Sequence, residues 1–287
     1  MEMAARLSQS LSAKLLNSTF RQQLLDKEAP PVFAGWLQSG DWRTARALSA
    51  HHSLVVIDAE HGGISLDQIA CCIEVMGGND CLSFVRVPFD SDDRKSFARR
   101  CLDAGAVGIL FPNVQSLAEA KTAVMNCYYP SDEYPEGGRG FGYGGCNIDG
   151  LGFGEYAKTA NDIVCIGVQL ENRHAFNPRS NCSEIMTCPG LVFTQDGPYD
   201  HSGSYLCSGN TCDPRVVSDL EEYRRIAADH GVASGKHVVV VTDKAIQENV
   251  ANGYKFIALG TDMMHVMSGA ERVLKIARGE ESTAINE

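Results

Sequence analysis

Leu54-Val55-Val56-Ile57-Asp58-Ala59-Glu60-His61-Gly62-Gly63 is the stretch on which the reading of this chain turns. A run of β-branched and apolar residues too short for a helix stops in two carboxylates, an imidazole and two glycines, which reads as a buried strand opening into a polar loop. Parallel α/β folds place catalytic groups at such strand ends, because the scaffold is rigid and the loop is free to vary. The plainer alternative is a charged surface turn, and the rest of the chain separates the two.

Outward from that strand the same alternation repeats. On the N-terminal side, Leu15 to Asp26 reads as a short helix, Val32 to Leu37 as a first strand, and Trp42 to Ala50 as a helix capped from Ser39-Gly40-Asp41. On the C-terminal side, Ser65-Leu66-Asp67-Gln68 matches a capping box for a helix over Ile69 to Met76. Strands follow at Leu82 to Val87 and Val107 to Phe111, separated by a charged amphipathic helix from Asp92 to Asp103. Ser116-Leu117-Ala118-Glu119 gives a second capping box for a helix reaching Cys127. The pattern then breaks from Tyr128 to Ala157, a glycine-, tyrosine- and proline-bearing loop of the kind that serves as a lid or contact segment. Ile163 to Leu170, Gly190 to Thr194, Val238 to Val241 and Phe256 to Leu259 are the last four strands. Helices over Val216 to His230, Asp243 to Ala251 and Met263 to Arg278 complete the alternation.

Eight strands alternating with helices predict a (β/α)8 TIM barrel over residues 32–278, with an N-terminal extension and helix at 1–31 and a tail at 279–287. The barrel puts the carboxyl ends of its strands on one rim. Trp36, Asp58, Glu60, His61, Arg86, Gln169, Glu171 and Asp200 should therefore converge. His51 and His52, and His230 and His237, precede strands in this reading and fall at the other rim. Gly140, Gly142 and Gly145 have GxGxxG spacing but lack the preceding strand and the following helix that a dinucleotide site needs.

The chain has 287 residues and a formal net charge of −11 with no compensating Lys/Arg cluster, which argues against nucleic acid or an anionic membrane as partner. No apolar run is long enough to span a bilayer, and Met1 to Asn17 lacks the apolar core of a signal peptide, so a soluble, cytoplasmic protein is expected. Eleven cysteines at irregular spacings fit reduced core thiols better than a disulfide framework. A zinc site from His201, Cys207 and Cys212 lacks paired-ligand spacing.

The strand-end residues suggest one chemistry. Glu171 and Asp200 are hard oxygen donors that could hold Mg2+ or Mn2+, with water and substrate completing the shell. A 2-oxo acid chelating that ion would have its carbonyl polarised and the adjacent C–H made acidic. The enolate left by proton removal needs a fixed cation, which Arg86 can supply, and His61 is the natural base, directly or through metal-bound water. The plainer roles are a salt-bridged barrel arginine and a loop-capping histidine.

Gly35-Trp36-Leu37, Ile57-Asp58-Ala59-Glu60-His61, Val85-Arg86, Leu102-Asp103-Ala104-Gly105-Ala106, Arg139-Gly140, Gln169-Leu170-Glu171 and Gly197-Pro198-Tyr199-Asp200 resemble, in order, the motifs of the HpcH/HpaI aldolases. These are metal-dependent, class II pyruvate aldolases, and the resemblance spans Asn17 to Ala277. It implies a carbon–carbon lyase acting on pyruvate or oxaloacetate with an aldehyde or other electrophile, using Mg2+ or Mn2+, with Co2+ admissible. His61 would accept the proton, and Asp103 would raise its basicity, within the chain or across a subunit boundary. Arg86 would stabilise the enolate and Glu171 and Asp200 would bind metal. Gln169, the backbone at Tyr199 and Trp36 would contact the 2-oxo acid, with Asp58, Glu60 and Arg139 as further candidates. It also implies a homo-oligomer, usually a hexamer, with Met263 to Arg278 on a neighbour.

Three departures stand against that pattern. The sixth strand runs about two residues longer, so Asp196 competes with Asp200 as ligand. His201 replaces an aliphatic residue and could join the metal site, and Tyr199 is bulkier than the usual small residue. The loop from Tyr129 to Cys146 is remodelled, which leaves the electrophile open. Relatives include macrophomate synthase, which decarboxylates oxaloacetate and adds the enolate to a pyrone. That use of the enolate, and a catalytically silent barrel, are the alternatives.

Overall fold

In the computed structural model of the protein, which describes residues 20–89, 94–142, 153–178 and 180–280, eight parallel strands close in chain order into one barrel. The strands are β1 (Val32–Leu37), β2 (Leu54–Asp58), β3 (Leu82–Arg86), β4 (Gly108–Phe111), β5 (Cys165–Leu170), β6 (Leu191–Asp196), β7 (Ala233–Val238) and β8 (Phe256–Leu259). Around them run α1 (20–25), α2 (Trp42–Ser49), α3 (Leu66–Gly77), α4 (Arg94–Asp103), α5 (Leu117–Met125) and α6 (Phe153–Ile163). They continue as α7 (Ser180–Met186), α8 (Pro198–Ser204), α9 (Pro214–His230), α10 (Asp243–Ala251) and α11 (Asp262–Ala277). Every strand runs parallel to its neighbours, with helical returns between them. Segments after a strand therefore lie at the carboxyl rim and segments after a helix at the amino rim.

Strand alternation divides the core in two. Val32, Ala34 and Trp36 with Leu54, Val56, Leu82, Phe84, Phe193 and Phe256 fill the barrel, while Val55, Ile57, Val85, Ile109, Ile166 and Val168 pack outward against helices. Phe84, Phe193 and Phe256 meet inside at centroid separations of 5.3 to 6.1 Å, and Phe20 of α1 plugs the amino end edge-on to Phe84 at 5.7 Å. Gly108 and Gly167 make this possible, because a Cβ at either would land in the ring of Phe84 or Phe193.

Two of the three helix starts act as the sequence predicts. Asp41 caps α2 through the amides of Arg43 and Thr44 at 2.9 and 3.0 Å. Ser65 and Gln68 form the reciprocal capping box of α3. At α5 only half the box forms: Ser116 accepts from Glu119 N, but the Glu119 carboxylate reaches Gln115 N at 2.8 Å.

The structure moves several boundaries and bears out the length of the sixth strand. The seventh strand is Ala233–Val238 rather than Val238–Val241, so His237 lies within β7 and reaches the barrel interior. The fifth begins at Cys165, since Ile163 still belongs to α6, which also shortens the expected loop by starting at Phe153. The sixth strand is longer, as its sequence suggests, and absorbs the extra residue in a bulge: Leu191 pairs with Ile166 and Phe193 with Gly167. The described part of the loop after α5, through residue 142, starts from the amino rim, away from the strand ends. Residues 1–19 (including the start of the expected first helix), 90–93, 143–152 (with Gly145 and Cys146), 179 and 281–287 lie outside the described residues.

No helix among the described residues is long and apolar enough to cross a membrane. The described cysteines are free thiols, and burial pushes those of Cys101, Cys127 and Cys165 up to about 12.

Candidate active site

The carboxyl rim is organised by a buried ionic frame. Arg86, ending β3, forks onto Asp58, ending β2, with Nε to Oδ1 at 2.9 Å and Nη2 to Oδ2 at 2.7 Å. Its remaining Nη1 meets Glu60 Oε2 at 3.0 Å. Asp58 Oδ1 also accepts from the amides of Glu60 and His61, and Oδ2 from Trp36 Nε1 at 3.3 Å. Burial opposes ionisation of Asp58, but the hydrogen bonds and charge of Arg86 prevail and hold its carboxyl below the usual range. Burial wins at Glu60, whose carboxyl is pushed up despite Arg86 and His61. His61 itself is exposed, with Nε2 3.9 Å from Glu60 Oε2.

Opposite this frame stands Glu171, just past β5 and only 5% exposed. Its Oε1 accepts from Asn113 N at 2.8 Å, while Oε2 has no partner. Burial, then the negative charges of Glu60 and Asp200, raise its pKa to about 8. Gly197 closes against it: a Cβ there would strike Glu171 Oε2 and come within 2.9 Å of Gln169 Nε2. Asp200 and Tyr199 follow on the exposed side of α8.

These groups can fix a negative charge, offer an imidazole at a solvent-facing edge and present carboxylate oxygen to a cation. Residues 43–269 match the HpcH/HpaI aldolase/citrate lyase family. The chain belongs to that family. It is 28% identical to the hydroxypyruvate/pyruvate aldolase of Roseobacter denitrificans over 89% of this chain and 95% of that protein. An HpcH/HpaI aldolase/citrate lyase family protein from Burkholderia cenocepacia J2315 superposes at TM-score 0.81 with 25% identity, covering 91% of this chain and 99% of that one. Macrophomate synthase superposes at TM-score 0.75 with 24% identity over 90% and 89% of the two chains, a likeness of fold.

Among the site candidates of this HpcH/HpaI chain, the structure gathers Trp36, Asp58, Glu60, His61, Arg86, Gln169 and Glu171 at one rim, with Tyr199 and Asp200 beside them. It does not bring Asp103 or Arg139 there. They pair with each other at 3.0 Å, Asp103 at the end of α4 and Arg139 after α5, and both positions belong to the amino rim. Asp196 faces out of the barrel into Lys236 Nζ at 3.0 Å and Tyr254 OH at 2.6 Å, so it does not compete with Asp200. His201 is fully buried with Nε2 on Asp219 of α9 at 3.1 Å and its ring on Phe176, which turns it away from the site.

Three contributors escape sequence reasoning. His237 stacks on Trp36 at 4.3 Å and bonds the Gly260 carbonyl at 2.8 Å; burial lowers its pKa to about 4. Only a correct β7 boundary would have exposed it. Asn113 holds Glu171 from a left-handed turn, φ 51°, a conformation that asparagine tolerates. Gln195 is buried in β6 opposite Gln169.

Proposed function

We propose that this chain is a class II aldolase. It binds a 2-oxo acid at the carboxyl rim, moves a proton from the carbon next to the keto group, and joins the enolate to an aldehyde or runs the cleavage in reverse. The observation that carries this reading is Glu171: a buried carboxyl with one unpartnered oxygen and a pKa raised to about 8, beside like charges and across from a clamped arginine. Such a group fits a cation-binding role, since a divalent ion would relieve both the orphaned oxygen and the repulsion from Glu60 and Asp200. Glu171 and Asp200 would hold Mg2+ or Mn2+, which when bound supplies Lewis acidity to the keto group.

The chain's own residues do the rest. Arg86, held by Asp58 and Glu60, keeps a fixed positive charge where the enolate oxygen develops, with no reorganisation at the moment of reaction. His61 exchanges the carbon-bound proton with solvent. Gln169 and the backbone at Tyr199 hold the 2-oxo acid, and Trp36 walls the site.

The reading extends to a cytoplasmic homo-oligomer. Along α11, Val266, Met267, Val273, Leu274 and Ile276 are exposed and only Asp262 is buried, where it accepts from Gln38 N and Ser39 N. A contiguous apolar stripe of this kind supports a docking role on further copies. Free cysteines fit a reducing compartment.

The deciding experiment is solvent-deuterium exchange into the methyl group of pyruvate, followed by NMR with Mg2+, with Mn2+ and with chelator. Metal-dependent exchange that disappears in Glu171→Ala is expected. Oxaloacetate decarboxylation without pyruvate exchange would move the assignment to a macrophomate synthase-like use of the enolate. Absence of both reactions would overturn the enzyme reading.

A further inference from the structure

We propose that a cavity at the amino end of the barrel, opposite the donor site, binds a small phosphate monoester. Residues far apart in sequence form it: Lys27 after α1, Arg224 on α9, Ser234 in β7, Asn252 after α10 and Lys255 before β8, over an apolar floor at Leu24. Its volume is about 290 Å3. Each of these residues leads into or starts a strand, so an occupant lies at the amino rim and leaves the carboxyl rim open.

Charge is the first observation. The chain carries 25 Lys and Arg against 36 Asp and Glu, yet three cations and, among the described residues, no carboxylate line this cavity. Asp26 and Glu28 flank Lys27 in sequence but are not part of the lining. The second observation is that the cations are not spent inside the fold. The guanidinium of half-buried Arg224 makes one bond, from Nη1 to the Tyr254 hydroxyl at 3.4 Å, and lies 5.5 Å from that ring. Lys255 Nζ donates to the carbonyls of Lys27 and Ala29, the second at 2.7 Å, which pins the segment carrying Lys27 and leaves a third N–H free. Ser234 is only 6% exposed, and neither its hydroxyl nor the side-chain amide of Asn252 has a partner among the described residues.

The plainer role for these cations is to complement the carboxyl ends of α9 and α10, both of which finish here. Those ends are already served. Gly231 N and Val232 N take the last carbonyls of α9, and Asn252 N and Gly253 N those of α10. Arg224 also stands more than a turn before α9 ends at His230, beyond the reach of the helix dipole. A bound anion accounts for the groups left over. Three cations approaching from three separate segments, with a hydroxyl and an amide, match the tetrahedral oxygens and double charge of a phosphate. A planar carboxylate is satisfied by one arginine fork. The apolar floor accepts a short carbon body.

The test is calorimetric titration of the metal-free protein, in chelator so that no ion at the carboxyl rim holds the ligand, with glycerol 3-phosphate, inorganic phosphate and succinate. Glycerol 3-phosphate should bind saturably with Kd below about 10 mM and about tenfold tighter than succinate. Arg224→Met, which keeps an apolar stem, should weaken it about tenfold or more, and Lys27→Gln about threefold. Lys27 is exposed, so its variant keeps the test open if Arg224→Met fails to fold. Lys244→Gln, at an exposed lysine of α10 outside the cavity, should leave binding unchanged. Saturating pyruvate should not displace the ester. Absence of saturable binding in this range, binding that both cavity variants leave unchanged, or displacement by pyruvate overturns the site. Succinate binding as tightly as the phosphate ester overturns the ligand class.

Discussion

Glu171→Gln should make the metal-free protein more stable at alkaline pH while abolishing its response to metal. The unfolded carboxyl loses its proton near its ordinary 4.5, whereas in the fold it holds the proton to about 8. Between those values the folded state binds more protons, so wild-type stability falls as pH rises from about 4.5 to about 8 and is level above. At about 1.36 kcal/mol per pKa unit the ceiling is on the order of 5 kcal/mol, and a realised difference of roughly 2–4 kcal/mol allows for relaxation around the site. Glutamine keeps the bond from Asn113 N through its Oε1 and cannot ionise, so its slope across this window is missing. Urea denaturation at fixed protein concentration, in chelator, should give equal stability for the two proteins near pH 4.5 and a more stable variant at pH 8.5. Excess Mn2+ should restore the wild type by about 2.7 kcal/mol at a hundred times Kd and leave the variant unmoved. A variant no more stable than wild type at pH 8.5 in chelator, or one that Mn2+ stabilises equally, would refute the reasoning.

His61→Ala should abolish pyruvate exchange with almost no change in Tm, because the side chain is exposed and bonds little; a large Tm loss would make it structural. Asp58→Asn should cost about 3–5 kcal/mol in denaturation, since it strips the forked partner from a buried arginine. In a Trp42→Phe background Trp36 is the sole indole, and its fluorescence should be quenched with a midpoint near pH 4 as stacked His237 protonates, a transition absent from His237→Gln. Because that pKa is depressed, His237 also contributes stability that is lost as pH falls from about 6.5 to 4. Mixing His61→Ala with Asp103→Asn chains under subunit exchange should restore part of the exchange activity if Asp103 serves a neighbour, and none if it does not.

Where side-chain period and local propensity agree, the elements were legible from sequence. β2 and β3 are short, largely apolar runs that stop at polar strand ends, and the Ser65 box starts α3 where its spacing says. β7 was not, because Val238-Val239-Val240-Val241 is the stronger strand signal than Ala233-Ser234-Gly235-Lys236-His237. The barrel overrides it. Gly235 is there because a Cβ would come within 2.8 Å of Thr194 O and 2.9 Å of the Phe256 ring, and Lys236 because Asp196 waits outside. The same tertiary demand explains Asp196 and Asp200. Two carboxylates four residues apart look interchangeable in a string, but the bulge at β6 decides that one points outward into Lys236 and Tyr254 and the other follows Gly197-Pro198 to the rim.

Residue type says what chemistry a motif can do, and its place in the βα repeat says where it can do it. Asp58, Arg86, Gln169 and Glu171 end or directly follow strands, so each arrives at the carboxyl rim without further instruction. Asp103 ends a helix and Arg139 follows one, so their mutual 3.0 Å pair sits at the amino rim. Topology thus forbids an Asp103–His61 pair within one chain. Any influence of Asp103 or Arg139 on the proton transfer or on the electrophile has to be exerted on a second copy. α11 leaves an apolar stripe exposed while its first turn is tied down by Asp262, which is the arrangement that would hold such a copy in place. If copies meet along α11, the strand-end groups of one chain and the amino-rim pair Asp103 and Arg139 of another would share one site.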